Sequence, residues 1–206
     1  EPGPLGLDGA EHACRLAHAA IAAHGAHHLL HGEACGVLTQ GYYVDHSKLR
    51  PSFVRAVRND ADFVVRYGAV LFDPSLADVT MTHAYGDNEE YVFRGFAHSA
   101  YGEAGKVWTV IRENERVKLL SFINLTAAAD DDWNEGKPEP VPVAGRVCAV
   151  AVDGDIESLF AASPDVRGGA PVKLDYRIET TPRGRTAVFE LPNLLYWDIV
   201  VMRVSL

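Results

Sequence analysis

The sequence predicts two architectures in succession: an α/β unit of helix, strand, loop and helix over residues 1–77, then an antiparallel β-sandwich over residues 78–206. Three observations predict this. Apolar residues recur at helical spacing in two blocks before residue 73. One short strand-like stretch, 26–31, lies between those blocks. From about residue 78 the apolar period drops to two, with turn residues between the runs.

The first helix is expected over 9–24. Asp8 and Glu11 have the spacing of a capping box, Ala10, Ala13, Cys14, Ala17, Ala20 and Ile21 share a helical face, and Gly25 stands where a helix ends in a left-handed glycine. Residues 26–31 (Ala-His-His-Leu-Leu-His) read as a strand. Gly32 to His46 is polar and glycine-containing, hence a loop. Pro51 suits the first turn of a second helix, whose apolar positions are Phe53, Val54, Val57, Ala61, Val64, Val65, Gly68, Leu71 and Phe72; Asp73-Pro74 ends it. A lone strand cannot satisfy its own backbone groups, so this unit reads as the last piece of a larger sheet.

In the second half, runs at 107–111, 117–125, 145–152, 174–178, 186–191 and 195–204 give six or seven strands. Leu174, Tyr176 and Ile178 are expected to face one way. Asp153-Gly-Asp155 and Thr181-Pro-Arg-Gly184 are turn signals, and Pro138, Pro140 and Pro142 mark an exposed loop.

Composition narrows the function classes. The 206 residues are 23% charged and 48% hydrophobic, a globular balance. With 28 acidic against 19 basic residues the net charge is −9, which disfavours nucleic acid and suits a neutral ligand such as a sugar. No apolar run of about 18 residues is present, so no membrane partner is expected. Cys14, Cys35 and Cys148 are too few and too scattered for a disulfide framework or a zinc motif. His27 and His31 share a strand face but stand about 13 Å apart there, too far to hold one ion. The run Asp130-Asp131-Asp132 reads as a solvated loop rather than a calcium site. No metal and no cofactor are expected.

Several stretches together resemble glycoside hydrolase family 66, the dextranases and cyclic isomaltooligosaccharide glucanotransferases. They are Gly25-Ala-His-His-Leu-Leu-His-Gly-Glu33 with Val37-Leu-Thr-Gln-Gly-Tyr-Tyr43, Asp62-Phe-Val-Val-Arg-Tyr67, Val107-Trp-Thr-Val-Ile111, Leu119 to Thr126, Asp132-Trp-Asn, Ser163-Pro-Asp165, and Leu191-Pro-Asn-Leu-Leu-Tyr-Trp-Asp198. They follow the family's order along almost the whole chain. Val37, Gly41 and Val44 depart from it, standing where the family has Met, an acidic residue and Pro.

The resemblance implies a (β/α)8 barrel followed by a C-terminal β-sandwich, with residues 1–77 as the last part of a truncated barrel and 78–206 as the sandwich. It places the catalytic Asp and Glu on earlier strands, so no catalytic residue is assigned here. It also implies an extracellular setting, the missing N-terminal barrel portion as a partner, and an α-glucan polysaccharide or oligosaccharide as ligand. Barrel sites lie at the C-terminal ends of strands, so 32–46 should line the cleft. Carboxylates accept sugar hydroxyl hydrogen bonds and aromatic rings cover the apolar ring faces. Glu33, Gln40, Tyr42, Tyr43 and Asp45 are therefore the candidate substrate-binding residues, Glu33 foremost because it matches the family's Gly-Glu position. Trp133, in a polar loop, is a candidate sugar platform, or folds down on the sandwich. Trp108 and Trp197, in strands, read as packing. The alternative function is a non-catalytic carbohydrate-binding or structural sandwich module.

Overall fold

The computed structural model describes residues 5–29, 33–38, 46–133, 135–182 and 184–205. It is a stack of three layers: two long helices, a seven-stranded sheet and a four-stranded sheet. Helix α1 is Gly6–Ala23 and α2 is Pro51–Leu71. Between them lie a short ribbon, β1 (Gly36–Leu38) with β2 (His46–Lys48), paired antiparallel. Eleven further strands follow: β3 (Ala77–Asp78), β4 (Tyr91–Arg94), β5 (His98–Ser99), β6 (Val107–Glu113), β7 (Val117–Asn124), β8 (Val147–Ala151), β9 (Ile156–Ala162), β10 (Val172–Lys173), β11 (Tyr176–Thr181), β12 (Gly184–Glu190) and β13 (Trp197–Val204). A short helix, α3 (Thr80–His83), lies between β3 and β4.

The larger sheet runs β10-β9-β13-β7-β6-β3 with β5 beside β6, and the smaller runs β11-β12-β8-β4. Among the described residues pairing is antiparallel except for β5 on β6. The antiparallel sandwich thus forms as expected. One core fills the space between the sheets, with Phe122, Val200 and Met202 facing Cys148, Val150 and Phe189. A second core lies on the other face of the larger sheet, where Leu119, Ile123, Trp197, Ile199 and Val201 meet Leu16, Ala19, Ala23, Phe63, Tyr67 and Leu71 of the helices. The central strands are covered on both faces. That is why β7 and β13 read as nearly unbroken apolar runs rather than as strict alternation.

The structure corrects several expectations. Residues 26–29 form no strand, and 30–32 lie outside the described residues. Among the described residues no strand lies beside 26–29, and an extended segment without one has no ladder to join. Asp8 sits inside the first turn of α1 instead of capping it. Asp8 and Glu11 instead take Arg50, whose Nε and Nη2 donate to Glu11 at 2.6 Å each. The buried residues of α1 are Gly9, Leu16, Ala19, Ala20, Ala22 and Ala23, only Ala20 of which belongs to the expected stripe. On α2 the buried set is Phe53, Asp60, Phe63, Tyr67, Val70 and Leu71, while Ala61 is exposed and Val65 is 81% exposed. Both helices carry two apolar faces, and only one of each rests on the sheet.

The expected turn at Asp153-Gly-Asp155 forms, and it carries the chain from β8 in the smaller sheet to β9 in the larger. Gly154 is required there, since a Cβ would lie 1.9 Å from the Ser205 carbonyl oxygen. Leu174 is buried, but Tyr176 and Ile178 are half-exposed on β11, the edge strand of the smaller sheet.

Candidate functional site

The expected cleft segment is built on the β1–β2 ribbon. Gly36 pairs with Lys48, Val37 with Ser47 and Leu38 with His46, and the Leu49 N–H donates to the Cys35 carbonyl at 2.9 Å. A 3-10 turn, Glu33–Cys35, leads into β1. Ala34 and Cys35 hold φ of 52° and 59° there. Two successive non-glycine residues in the left-handed region cost of order 1–3 kcal/mol each, strain of the kind that collects at ligand-binding turns. Gln40, Tyr42, Tyr43 and Asp45 fall in the link between the two strands and lie outside the described residues, as does the Glu33 side chain. The sequence reading missed the ribbon, because three-residue strands leave no period to read.

The second locus is the loop carrying Trp133. Lys137 is only 4% exposed, and its ammonium donates to the Asp130 carboxylate at 2.5 Å and to the Asp132 carbonyl at 2.6 Å. That contact holds the Asp130 carboxyl below its usual range. At its other end the loop is tied to α1, where the Lys137 N–H donates to the Gly9 carbonyl at 2.9 Å. Trp133 is 46% exposed and leans on Trp108, ring centroids 5.9 Å apart. Trp108 is anchored by its indole N–H on the Ala100 carbonyl at 3.0 Å and carries the His24 ring at 5.1 Å. Trp133 thus contacts a neighbouring indole while nearly half of its surface stays open to solvent.

The third feature, not anticipated from the sequence, is a charged joint between helices and sandwich. Arg15 of α1 donates to both Asp60 oxygens at 2.9 and 2.8 Å, and to Asp165 at 2.7 Å. Its guanidinium lies 3.9 Å from the centre of the Tyr196 ring. Asp165 in turn accepts the backbone N–H of Tyr196 at 2.8 Å, and the Ser163 hydroxyl donates to the Trp197 carbonyl at 2.7 Å. Phe63 stands edge-on to Trp197 at 5.0 Å. The segments 62–67, 163–165 and 191–198 therefore meet at one place, and their shared work there is structural. The only signal in the sequence was an Arg and an Asp on otherwise apolar helix faces.

Beside this joint, Cys14, Arg15, His18, His28, Val57 and Asp60 line a cavity of about 180 Å³ between α1 and α2. Burial pushes the Cys14 thiol up to about 11 and lowers the His18 imidazole. Both are then neutral near pH 7, which suits neither a thiolate nucleophile nor an imidazolium acid. The histidines of 24–31 point to different neighbours: His24 bonds the Ala20 carbonyl, His27 lies against Phe72 and His28 against His18, while His31 is outside the described residues. Among the described residues no three His, Cys, Asp or Glu side chains gather as metal ligands would.

Set beside known proteins, residues 10–201 match the model of glycosyl hydrolase family 66. Two cycloisomaltooligosaccharide glucanotransferases of Niallia circulans are 31% and 28% identical over 199 and 197 residues. Those alignments cover 95% and 94% of this chain and 20% of each relative. The chain thus spans about a fifth of the length of these relatives. A cycloisomaltooligosaccharide glucanotransferase from Paenibacillus sp., solved in complex with cycloisomaltoheptaose, superposes with a TM-score of 0.81 at 28% identity, covering 93% of this chain and 27% of that one.

Proposed function

The chain belongs to glycosyl hydrolase family 66, and from this we propose that it forms the C-terminal part of a retaining glycoside hydrolase acting on α-1,6-linked glucan. Residues 1–77 are the last part of its (β/α)8 barrel and residues 78–206 its C-terminal sandwich. The observation that carries the reading is the asymmetry of coverage: 95% of this chain aligns with a fifth of a glucanotransferase. The exposed apolar residues of α2 support it as well. Val65 and Ala61 are where a preceding barrel would pack.

In this reading the segment 32–46 forms one wall of the cleft. Glu33 and Asp45 accept hydrogen bonds from sugar hydroxyls, Gln40 reads a further hydroxyl, and Tyr42 and Tyr43 cover pyranose faces. Retention needs two carboxyls about 5–5.5 Å apart, one forming the glycosyl-enzyme bond and the other moving the proton. The resemblance puts that pair upstream. The enzyme acts outside the cell, on dextran or related oligosaccharides.

The test is to assay the full-length protein on dextran and separate linear from cyclic products. Release of isomaltooligosaccharides of either kind is expected. Glu33→Gln should lower kcat/KM by about 10- to 100-fold, the worth of a charge-assisted hydrogen bond. A full-length protein that leaves α-1,6-glucan intact would overturn the reading.

A further inference from the structure

We infer that Trp133, Trp108 and Tyr101 form a second glucan-binding surface, in a different loop from the segment 32–46, that stacks a pyranose ring of an α-1,6-linked chain. The ligand class rests on the function proposed above; the surface itself stands on its own geometry.

An indole left 46% exposed is worth explaining only if its loop is fixed, because a floppy loop shows its side chains by chance. This loop is fixed. The buried Lys137 ammonium gathers Asp130 and the Asp132 carbonyl beneath it. Gly136 lies so close to the Gly9 backbone that a Cβ would sit 3.2 Å from the Gly9 carbonyl carbon. Trp133 is thus held between an internal ion pair and a helix.

The backing is equally fixed. Trp108 supports Trp133 from below and is itself held by Ala100 and His24. Gly102 allows the two indoles to close together, since a Cβ there would lie 3.2 Å from each. Tyr101, the residue before Gly102, is 64% exposed and is the second ring assigned to this surface.

The polar surroundings select the ligand. Asp131, Asp132 and Glu135 are exposed around the indole. Carboxylates beside an aromatic face accept hydroxyl hydrogen bonds from a neutral sugar and repel anions. The net charge of −9 on these 206 residues disfavours a polyanionic ligand in the same way. A cationic peptide is the other ligand that such a surface suits, through cation–π contact. The neutral glucan is favoured because it serves an enzyme of this substrate class: a surface that retains the polymer raises its local concentration at the cleft.

The experiment is native electrophoresis of the full-length protein through gels containing dextran, with turnover of a short isomaltooligosaccharide measured in parallel. Trp133→Ala should weaken retardation by about fivefold and Tyr101→Ala by about twofold, the scale of one aromatic stacking contact. Trp133→Phe should retain most of the binding, and short-substrate turnover should not change. Tyr101→Ala, at an exposed side chain, keeps the test decisive where Trp133→Ala fails to fold. Cleavage of dextran with all variants retarded like the wild type overturns the surface and leaves the proposed function standing. A wild type that neither cleaves nor is retarded overturns both. Retardation by polylysine that Trp133→Ala abolishes, with dextran retardation untouched, overturns the glucan assignment.

Discussion

Arg15, in the middle of an alanine-rich helix, reaches Asp165 of the sandwich at 2.7 Å while also gripping Asp60 of the neighbouring helix. The side chains are 13%, 2% and 8% exposed, so the pairings are largely shielded from water. One arginine therefore ties together the two helices and the sheet they cover. Arg15→Met should destabilise the chain by about 3–5 kcal/mol, because it leaves two buried carboxylates without their cation. Urea unfolding measures the loss, and a change below about 1 kcal/mol would show the joint to be dispensable.

Arg112 of β6 does a similar service at the helix ends. Its Nη1 donates to the Leu71 carbonyl at 2.6 Å and its Nη2 to the Asp73 carbonyl at 3.1 Å, satisfying acceptors that the end of α2 leaves open. The same guanidinium packs on Gly25, the left-handed residue after α1, with φ of 77°. A Cβ at Gly25 would lie 2.9 Å from Arg112 Nη1. Gly25→Ala should cost about 1–2 kcal/mol from the backbone conformation alone, and more if the arginine is displaced. Thermal unfolding of Gly25→Ala beside Arg112→Ala tests the coupling. If the two effects simply add, the contact carries none of it.

The pair Arg146–Asp198 lies inside the sandwich, 0% and 3% exposed, at 2.5 Å. Burial pushes the Asp198 carboxyl up to about 6 despite the arginine. The folded state then binds this proton more tightly than the unfolded chain does, whose carboxyl titrates near 3.9. The contribution of Asp198 to stability is accordingly greatest at low pH and falls as pH rises from about 4 to about 6. Arg146→Met removes the opposing charge, raises the Asp198 carboxyl further and extends that fall to higher pH. The loss should be about 3–5 kcal/mol at pH 7 and clearly smaller at pH 4, where the carboxyl is neutral. Denaturant midpoints at the two pH values read this directly, and an equal loss at both would refute it.

Val65 separates the two settings of α2. At 81% exposure it touches little in this chain, so Val65→Glu should shift stability by no more than about 0.5 kcal/mol here. In the full-length protein, with the proposed barrel packed on that face, the same change buries a carboxylate and should lower the melting temperature by several degrees. Equal melting shifts in both would argue that nothing covers this face.

Period and punctuation alone located both long helices, the glycine stop at Gly25, the proline start at Pro51 and most of the longer strands. These depend on neighbours within a turn or a pleat, which is the range over which sequence acts directly. The ordered segments that carried the family resemblance were legible too, because they mark places where the chain must meet itself. Other choices belonged to the tertiary structure. Each helix had two apolar faces, and only docking on the larger sheet decided that Leu16, Phe63 and Tyr67 go inward while Val65 stays out. Residues 26–29 have strand-like composition but, among the described residues, no strand to pair with. The Asp153–Asp155 turn was legible, but that it carries the chain from one sheet to the other was not. The contacts of Arg15 with Asp165, of Arg112 with Leu71 and of Lys137 with Asp130 join residues or elements that no local pattern relates. Burial of a charge is a property of the whole packed molecule, and so is the decision about which indole remains in water.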